Sequence, residues 1–118
     1  MRPHQLGNSS ESHAASFLER RGYRIIARNF RVGHKEIDIV ARQRNTIAFV
    51  EVKARSDIGC GHPLEAITWK KRREIAQVAH AWIDRHGQPA LIYRFDAIAV
   101  IWRGHVYTIE HIENAWAL

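Results

Sequence analysis

The spacing of apolar residues along the chain predicts two helices. The first begins at Asn8 and ends at Gly22, a residue type that commonly stops helices, and residues 1–7 are expected to form a flexible tail before it. The second begins at Pro63, which suits the first turn of a helix, and continues to about Gly87 with apolar residues along one side.

Five further segments have the composition and punctuation of β-strands. They lie at residues 23–32, 36–42, 46–54, 90–102 and 105–109, while the residues after 109 are too few to assign. The resulting order is α-β-β-β-α-β-β, and 118 residues suit one domain. The pattern therefore predicts a single α/β domain in which a mixed sheet is flanked by helices.

The second and third strands are joined only by the sequence QRN and are predicted to form a hairpin. In the register that this turn gives, Asp38 faces Glu51 and Glu36 faces Lys53. Side chains alternate across a strand, so these polar residues share one end of one face. The opposite face is apolar and is expected to pack on the core: Ile37, Ile39, Ala41, Ala48, Val50, Val52 and Ala54.

The chemistry of this polar end follows from the closeness of its two acids. Side chains that face each other across a hairpin have Cβ atoms ~4.5–5.5 Å apart, and two carboxylates that close repel unless a proton or cation lies between them. Asp38 and Glu51 match the oxygen ligands of Mg²⁺. Lys53 can reach the same point to hold a water or a phosphate oxygen. Two carboxylates that bind a cation and a lysine beside them are the groups that metal-assisted phosphodiester hydrolysis requires.

A surface salt-bridge cluster is the alternative interpretation of the same residues. Glu36 would then pair with Lys53, and Asp38 with Arg42, in contacts that contribute little to stability. A slip of one residue in the hairpin would also send Asp38 to the face opposite Glu51. The spacing of the acids does not separate these alternatives.

Glu11 in the first helix has two interpretations as well. It lies on the same helical stripe as Ala14 and Leu18, so it can direct a third carboxylate at the acidic end of the sheet. Alternatively, Asn8 caps the helix and Glu11 completes a capping box, and from the residues alone this second interpretation is favoured.

The balance of charge points to an anionic partner. There are 18 Lys and Arg residues against 12 Asp and Glu residues, which gives a formal net charge of +6. Nucleic acid is the most common partner of such chains, and a membrane surface ranks second because no helix has a purely basic polar face. Basic residues beside the acids or on the second helix are candidates for phosphate contact: Arg31, Arg55, Lys70 and Lys71.

Two other segments could carry chemistry. Arg94 and Asp96 in the fourth strand either close the site or pair with each other, and the sequence leaves both open. Cys60 with His62 could suggest a thiol nucleophile, but no orienting acid is evident. The histidines lack the spacing of a zinc site.

The cellular setting follows from what the chain lacks. Its single cysteine allows no internal disulfide, which suits a reducing compartment. The N-terminus lacks the apolar run of a signal peptide, and no stretch approaches the ~20 apolar residues of a membrane span. A cytoplasmic protein without a membrane segment is expected.

The segment KEIDIVARQRNTIAFVEVKAR, residues 35–55, resembles the central motif of the PD-(D/E)XK nuclease superfamily. From about Gly7 to Asp96 the chain resembles more closely the YraN-like family of candidate endonucleases, which is related to Holliday junction resolvases. The resemblance rests on a set of residues spread along the chain: Glu11, Ala14, Gly22, Tyr23, Arg28 to Arg31, Glu36 to Asp38, Phe49 to Lys53, Arg55, Gly61, Ala66, Lys71 and Arg94 to Asp96.

The resemblance implies a restriction-endonuclease-like fold and a site of known composition. It implies that Asp38, Glu51 and the backbone carbonyl of Val52 bind Mg²⁺, or alternatively Mn²⁺. Lys53 then takes the catalytic position, where it orients or activates the attacking water. Glu11 matches the helix-borne acid of resolvase-like members, which raises its functional interpretation above the capping box.

The implied activity is endonucleolytic cleavage of structured or branched DNA. Lys71 matches a lysine of the family's second helix, whereas Lys35 replaces a usual glycine and adds a candidate phosphate contact. Supporting roles for Glu36, Arg94 and Asp96 stay open. The alternatives are a nucleic-acid-binding protein without turnover of its own and an interaction protein in which the acid cluster is structural. Related enzymes suggest a homodimer by analogy only.

Overall fold

Helices and strands follow one another in the predicted order over residues 3–56 and 62–117, which are the residues that the computed structural model describes. The elements are α1 (Pro3–Arg20), β1 (Arg24–Val32), β2 (Lys35–Gln43), β3 (Thr46–Arg55), a short 3₁₀ helix (Pro63–Ala66), α2 (Trp69–His86), β4 (Ile92–Arg103) and β5 (Val106–Trp116). Cys60 and Gly61 lie outside the described residues.

The five described strands form one sheet in the order β1-β2-β3-β4-β5. Neighbouring strands are antiparallel except for β3 and β4, which are parallel and are connected through α2. A parallel pair needs such a crossover, because a tight turn can only reverse the chain. The predicted mixed sheet flanked by helices is confirmed.

Each face of the sheet is covered by one helix. Leu18 of α1 packs with Ile39 and Val50 in one apolar cluster, while Val78 of α2 packs with Phe49 in the other. The sequence predicted one apolar face for β2 and β3, but both faces of these strands carry buried apolar residues. Strands that are covered by a helix on each side need apolar residues on both faces.

Ile37 departs from the predicted face. It belongs to the cluster under α2, whereas Ile39, two residues later, belongs to the cluster under α1. Strict alternation is therefore broken at Asp38, between the two isoleucines. This irregularity falls where the predicted site lies.

Both helices differ from their predicted bounds. α1 begins at Pro3, so most of the predicted flexible tail is helical. The second helix is divided: a 3₁₀ helix ends at Ala66, and α2 begins after Thr68, whose hydroxyl accepts a hydrogen bond from the Lys71 amide at 3.1 Å. A threonine side chain that caps a new helix explains the break. Neither helix in the described ranges is long and apolar enough to span a bilayer.

The last strand is longer than the sequence indicated. β5 continues to Trp116, and its register against β4 shifts between Phe95 and Ala97. Between Ile112 and Trp116 the strand has no regular partner in β4, and this irregularity hides the alternation from which a strand is predicted. Trp116 is buried and stacks on Phe95 with ring centroids 5.5 Å apart.

Candidate active site

The predicted hairpin register is confirmed over most of its length. Val40 pairs with Phe49, and the ladder continues to the pair Ile39 and Val50 but is not continued to Asp38. Beyond that point Asp38 Oδ2 accepts a hydrogen bond from the Val52 backbone amide at 2.7 Å. The Asp38 carboxylate thus accepts the hydrogen bond that a backbone carbonyl would accept in a regular ladder. This hydrogen bond fixes the carboxylate at the point where the pairing of β2 with β3 ends.

Asp38 and Glu51 still lie against each other, although not as a ladder pair. Burial, followed by a hydrogen bond with the Glu51 carboxyl group and the charge of that group, raises the pKa of Asp38 well above its ordinary value. A hydrogen bond between two carboxyl groups requires a proton on one of them. A raised pKa is the direction expected for a carboxyl group that shares a proton or a cation with a close neighbour.

Glu51 is the most buried acid of this set, at 3% exposed. Its Oε2 has no hydrogen-bond partner among the described residues, and the Nζ of Lys71 lies 3.6 Å away. Buried carboxylate oxygens are normally satisfied by donors or by metal ions. An unsatisfied buried oxygen beside a second carboxylate fits a bound cation.

The ligand set that the described residues offer is partial. No group of three or more His, Cys, Asp and Glu side chains within residues 3–56 and 62–117 is arranged to hold a metal ion. Two carboxylates from Asp38 and Glu51 suit a cation that keeps several of its waters, as Mg²⁺ does, rather than Zn²⁺ in a closed site.

Glu11 points from α1 towards the same end of the sheet. Its Oε1 accepts a hydrogen bond from Asn29 Nδ2 at 2.8 Å. Burial raises the pKa of Glu11; the Asn29 hydrogen bond opposes this, and the charge of Asp38 adds to it. The capping-box alternative is wrong, because α1 begins at Pro3 and Asn8 therefore lies inside the helix.

Asn29 is a site neighbour that the sequence analysis missed. It lies between two residues of β1 that pair with β2 and opposite Asp38, in a left-handed conformation with φ 51°. Its amide also reaches Glu36 Oε1 at 3.2 Å, and so it connects two acids. An asparagine inside a strand was the available signal, because asparagine is depleted in strands and tolerates this conformation.

Glu36 is not brought to Lys53. Its Oε2 instead forms an ion pair with Arg31 Nε at 2.7 Å. Within the described residues, neither salt bridge of the surface-cluster alternative forms, and Arg42 donates instead to the carbonyl of Arg44 at 2.8 Å. The guanidinium of Arg31, a predicted phosphate contact, is therefore engaged in an ion pair with Glu36.

The predicted basic residues are distributed unevenly. Lys71 reaches Glu51, while Lys70 beside it is exposed. Lys53 lies two residues beyond Glu51 in β3, half-buried beside apolar residues of the 3₁₀ segment, and Arg55 ends the strand. Lys35 donates to Gln77 of α2.

Arg94 and Asp96 pair with each other and do not join the two acids. Asp96 is fully buried and accepts from Arg94 Nε at 2.8 Å, His111 Nε2 at 2.8 Å and the Asn114 amide at 3.0 Å. Arg94 also donates to the Tyr23 hydroxyl. Of the two alternatives left open for this segment, internal pairing is the one observed.

A remote likeness exists among solved structures. The chain is 17% identical to Pyrococcus furiosus SfsA in complex with Ca²⁺, with a TM-score of 0.36, and the match covers 93% of this chain and 63% of that one. A likeness at this level does not bear on function.

Curated proteins give much stronger matches. A UPF0102 protein of Geobacter sulfurreducens is 48% identical, with 96% of this chain and 89% of that protein covered. One of Chlorobium phaeobacteroides strain BS1 is 44% identical, with 97% and 95% covered, and one of Caldicellulosiruptor saccharolyticus is 42% identical, with 98% and 100% covered.

The family model described as "Uncharacterised protein family UPF0102" matches residues 10–100. The matched region includes Glu11, Asp38, Glu51, Lys53 and Lys71. The description states no activity, so it supports the YraN-like resemblance at the level of the family and not of the nuclease superfamily. The chain belongs to uncharacterised protein family UPF0102.

Proposed function

We propose that the protein is a metal-dependent endonuclease that hydrolyses phosphodiester bonds of structured or branched DNA. The observation that supports this most directly is the buried Glu51 Oε2, which has no hydrogen-bond partner among the described residues and lies beside Asp38, whose pKa is raised. A buried acid pair of this kind is unfavourable for a purely structural role, because replacement by apolar residues removes the penalty. Cation binding would offset the energetic penalty of burying the two acids together.

The residues have distinct roles in this proposal. Asp38, Glu51 and the carbonyl oxygen of Val52 would hold Mg²⁺ or Mn²⁺, which when bound stabilises negative charge on the scissile phosphate. Lys53 orients and activates the attacking water from the strand position next to Val52. Glu11 supports the acid pair from α1 and stays hydrogen-bonded to the side-chain amide of Asn29.

DNA as the substrate is supported by charge and by the resemblance to resolvase-like nucleases. The chain carries a net charge of +6, and exposed Lys70 lies beside Lys71, which reaches the acid pair. Phosphate contacts of this kind give affinity that falls steeply with salt. The resemblance to resolvase-like nucleases favours branched or structured substrates over plain duplex.

Cleavage of labelled DNA tests the proposal. Four-way junction, single-stranded and duplex substrates are incubated with Mg²⁺ or Mn²⁺ and the purified protein. We expect cleavage by the native protein and losses on the order of 100-fold or more in Asp38→Asn and Glu51→Gln, because the cation contributes several kcal/mol to such reactions. Retention of activity in both variants would refute the site.

Glu19→Gln is the matched control for these variants. Glu19 is an exposed acid of α1 that lies eight residues after Glu11, about 12 Å along the helix axis. It removes the same charge as Glu51→Gln without touching the acid pair, so cleavage should be unchanged. A parallel loss in Glu19→Gln would indicate that net charge, and not the site, controls activity.

Nucleic-acid binding without turnover is the second candidate. One observation favours it: Lys71 already supplies positive charge to the buried Glu51 carboxylate, at 3.6 Å. In that case the native protein binds DNA with a strong dependence on salt and cleaves none of the three substrates.

A further inference from the structure

A column of stacked groups runs from the core to the surface at the start of α2. The Phe95 and Trp116 rings are 5.5 Å apart and 14° from parallel. The guanidinium carbon of Arg72 lies 5.6 Å from the centroid of the Trp116 ring and 4.7 Å from that of the Trp69 ring. Trp69, the outermost member, is 63% exposed.

The column holds the Trp69 ring in place without a ligand. Arg72 Nε donates to the Ile67 carbonyl at 3.0 Å, which fixes the guanidinium between the two indoles. Thr68 caps α2 immediately before Trp69 and fixes the backbone there. A ring that is already ordered loses little freedom when a planar ligand stacks on it.

Surface position alone does not distinguish Trp69, since Ile92 and Val106 are also exposed, at 61% and 70%. What distinguishes it is its surroundings. Lys70 and Arg73 are exposed beside it, and Lys71 reaches Glu51 of the acid pair. An ordered aromatic ring among cations suits a ligand that is both flat and anionic, which describes a nucleotide.

We propose that Trp69 is a stacking platform for an unpaired base of the bound DNA. Trp69 and Lys71 both lie in the first turn of α2, about 3 Å apart along the helix axis but about 200° apart around it. A base on the indole therefore lies on a different side of the helix from the Lys71 contact with Glu51. Bases inside a duplex already stack on their neighbours and do not present a free face. The substrate class is therefore DNA with a single-stranded or flipped nucleotide at the site.

The choice of DNA as the ligand rests on the proposed function, whereas the stacking itself is independent of cleavage. The test therefore measures binding in EDTA, where no cleavage takes place. Fluorescence anisotropy gives Kd values for three labelled ligands: a mixed-sequence single strand, its duplex, and an abasic strand of the same length.

We expect Trp69→Ala to weaken binding of the single strand about tenfold, and to change binding of the duplex and the abasic strand less than about twofold. Trp69→Phe retains a ring and should keep most of the affinity. Val106→Ala removes an equally exposed apolar side chain elsewhere and should change none of the three values.

Several outcomes would overturn the proposal. Equal losses on all three ligands in Trp69→Ala, with its melting temperature unchanged, would assign Trp69 to backbone contact. An unchanged Kd for the single strand would remove the platform. A dimer in analytical ultracentrifugation that is lost in both Trp69→Ala and Trp69→Phe would assign the ring to a second copy of the chain. Failure of cleavage by the native protein with the selective binding loss intact would refute the nuclease and leave the platform standing.

Discussion

Two buried acids of this protein have opposite surroundings. Asp96 receives hydrogen bonds from Arg94, His111 and the Asn114 amide, and although burial alone would raise its pKa, these donors lower it below its ordinary value. Glu51 has one oxygen without a hydrogen-bond partner among the described residues, and the pKa of its neighbour Asp38 is raised.

The difference separates structural acids from acids held for a ligand. A carboxylate supplied with enough donors is charged and satisfied, so it contributes to the folded state by itself. A carboxylate buried against another lacks those donors and destabilises the folded state until a proton or cation arrives. The substitutions below test this contrast, beginning with the largest expected effect.

Asp96→Ala should lower the free energy of unfolding by about 3 kcal/mol, because it removes a fully buried, hydrogen-bonded acid and leaves the half-buried guanidinium of Arg94 without its main partner. Urea denaturation measures the loss, with Glu19→Gln as the control for a removed charge. A loss below about 1 kcal/mol would show that Asp96 is not the satisfied acid that its contacts indicate.

Asp38→Asn should raise the free energy of unfolding of the metal-free protein at high pH, which is the opposite of the effect expected for Asp96→Ala. The pKa of Asp38 is raised in the folded state, so the folded state binds its proton more tightly than the unfolded chain does. The contribution of Asp38 to native stability is therefore fully present below the ordinary carboxyl pKa of about 4 and is lost as pH rises towards the raised value, by about 1.4 kcal/mol for each unit of separation.

The measurement is thermal unfolding in EDTA across this pH range. Asp38→Asn removes the alkaline fall and should exceed the native protein in melting temperature at high pH, whereas the native protein alone should gain from added Mg²⁺. Asp96 behaves inversely: its pKa is lowered, so its contribution is present above about pH 4 and is lost as the pH falls through the folded value. Identical pH profiles for native and Asp38→Asn proteins would contradict the assignment of the shared proton.

Asn29 allows a smaller test, because its backbone and its side chain can be separated. Asn29→Gly keeps the left-handed conformation and loses the hydrogen bonds to Glu11 and Glu36, with an expected loss of about 1 kcal/mol. Asn29→Ala should lose about 1 kcal/mol more, since an alanine is strained at that φ. Equal stability of the two variants in urea would show that the backbone conformation relaxes.

Arg31→Ala should give the smallest change. Its partner Glu36 is an acid of a third kind, paired at the surface, and the Arg31 side chain is 69% exposed. Exposed pairs of this type contribute less than about 0.5 kcal/mol, and salt reduces that further. Urea denaturation at low and high salt measures the change in the free energy of unfolding. A larger loss at both salt concentrations would show that the ion pair of Glu36 with Arg31 stabilises the fold as a buried pair does.

The sequence predicted the elements whose patterns are local and regular. The pairing of Val40 with Phe49 followed from alternation and a short turn, and the closeness of Asp38 to Glu51 followed from that register. What could not be predicted depends on irregular backbone. Alternation is broken at Asp38 of β2, opposite the left-handed Asn29 of β1. Ideal strands therefore predict neither the shift of Ile37 to the other face nor the pairing of Glu36 with Arg31.

Contacts between residues that are far apart in the sequence could not be predicted either. Nothing in the neighbourhood of Asp96 indicated that His111 and Asn114 would supply its donors, because both come from β5 and from a stretch too irregular to assign. Lys71 was placed on the second helix correctly, but its contact with Glu51 depends on where α2 packs against the sheet.

The parallel pairing of β3 with β4 also sets the order in which the acids can be gathered during folding. Asp38 and Glu51 lie on β2 and β3, which follow each other along the chain and meet through a short turn. The pairing of Thr46 with Ile92 closes a loop that contains all of α2, and long loops close slowly because of their entropy. We therefore expect Asp38 and Glu51 to approach each other before β3 pairs with β4, so that the acid pair forms before the sheet is complete.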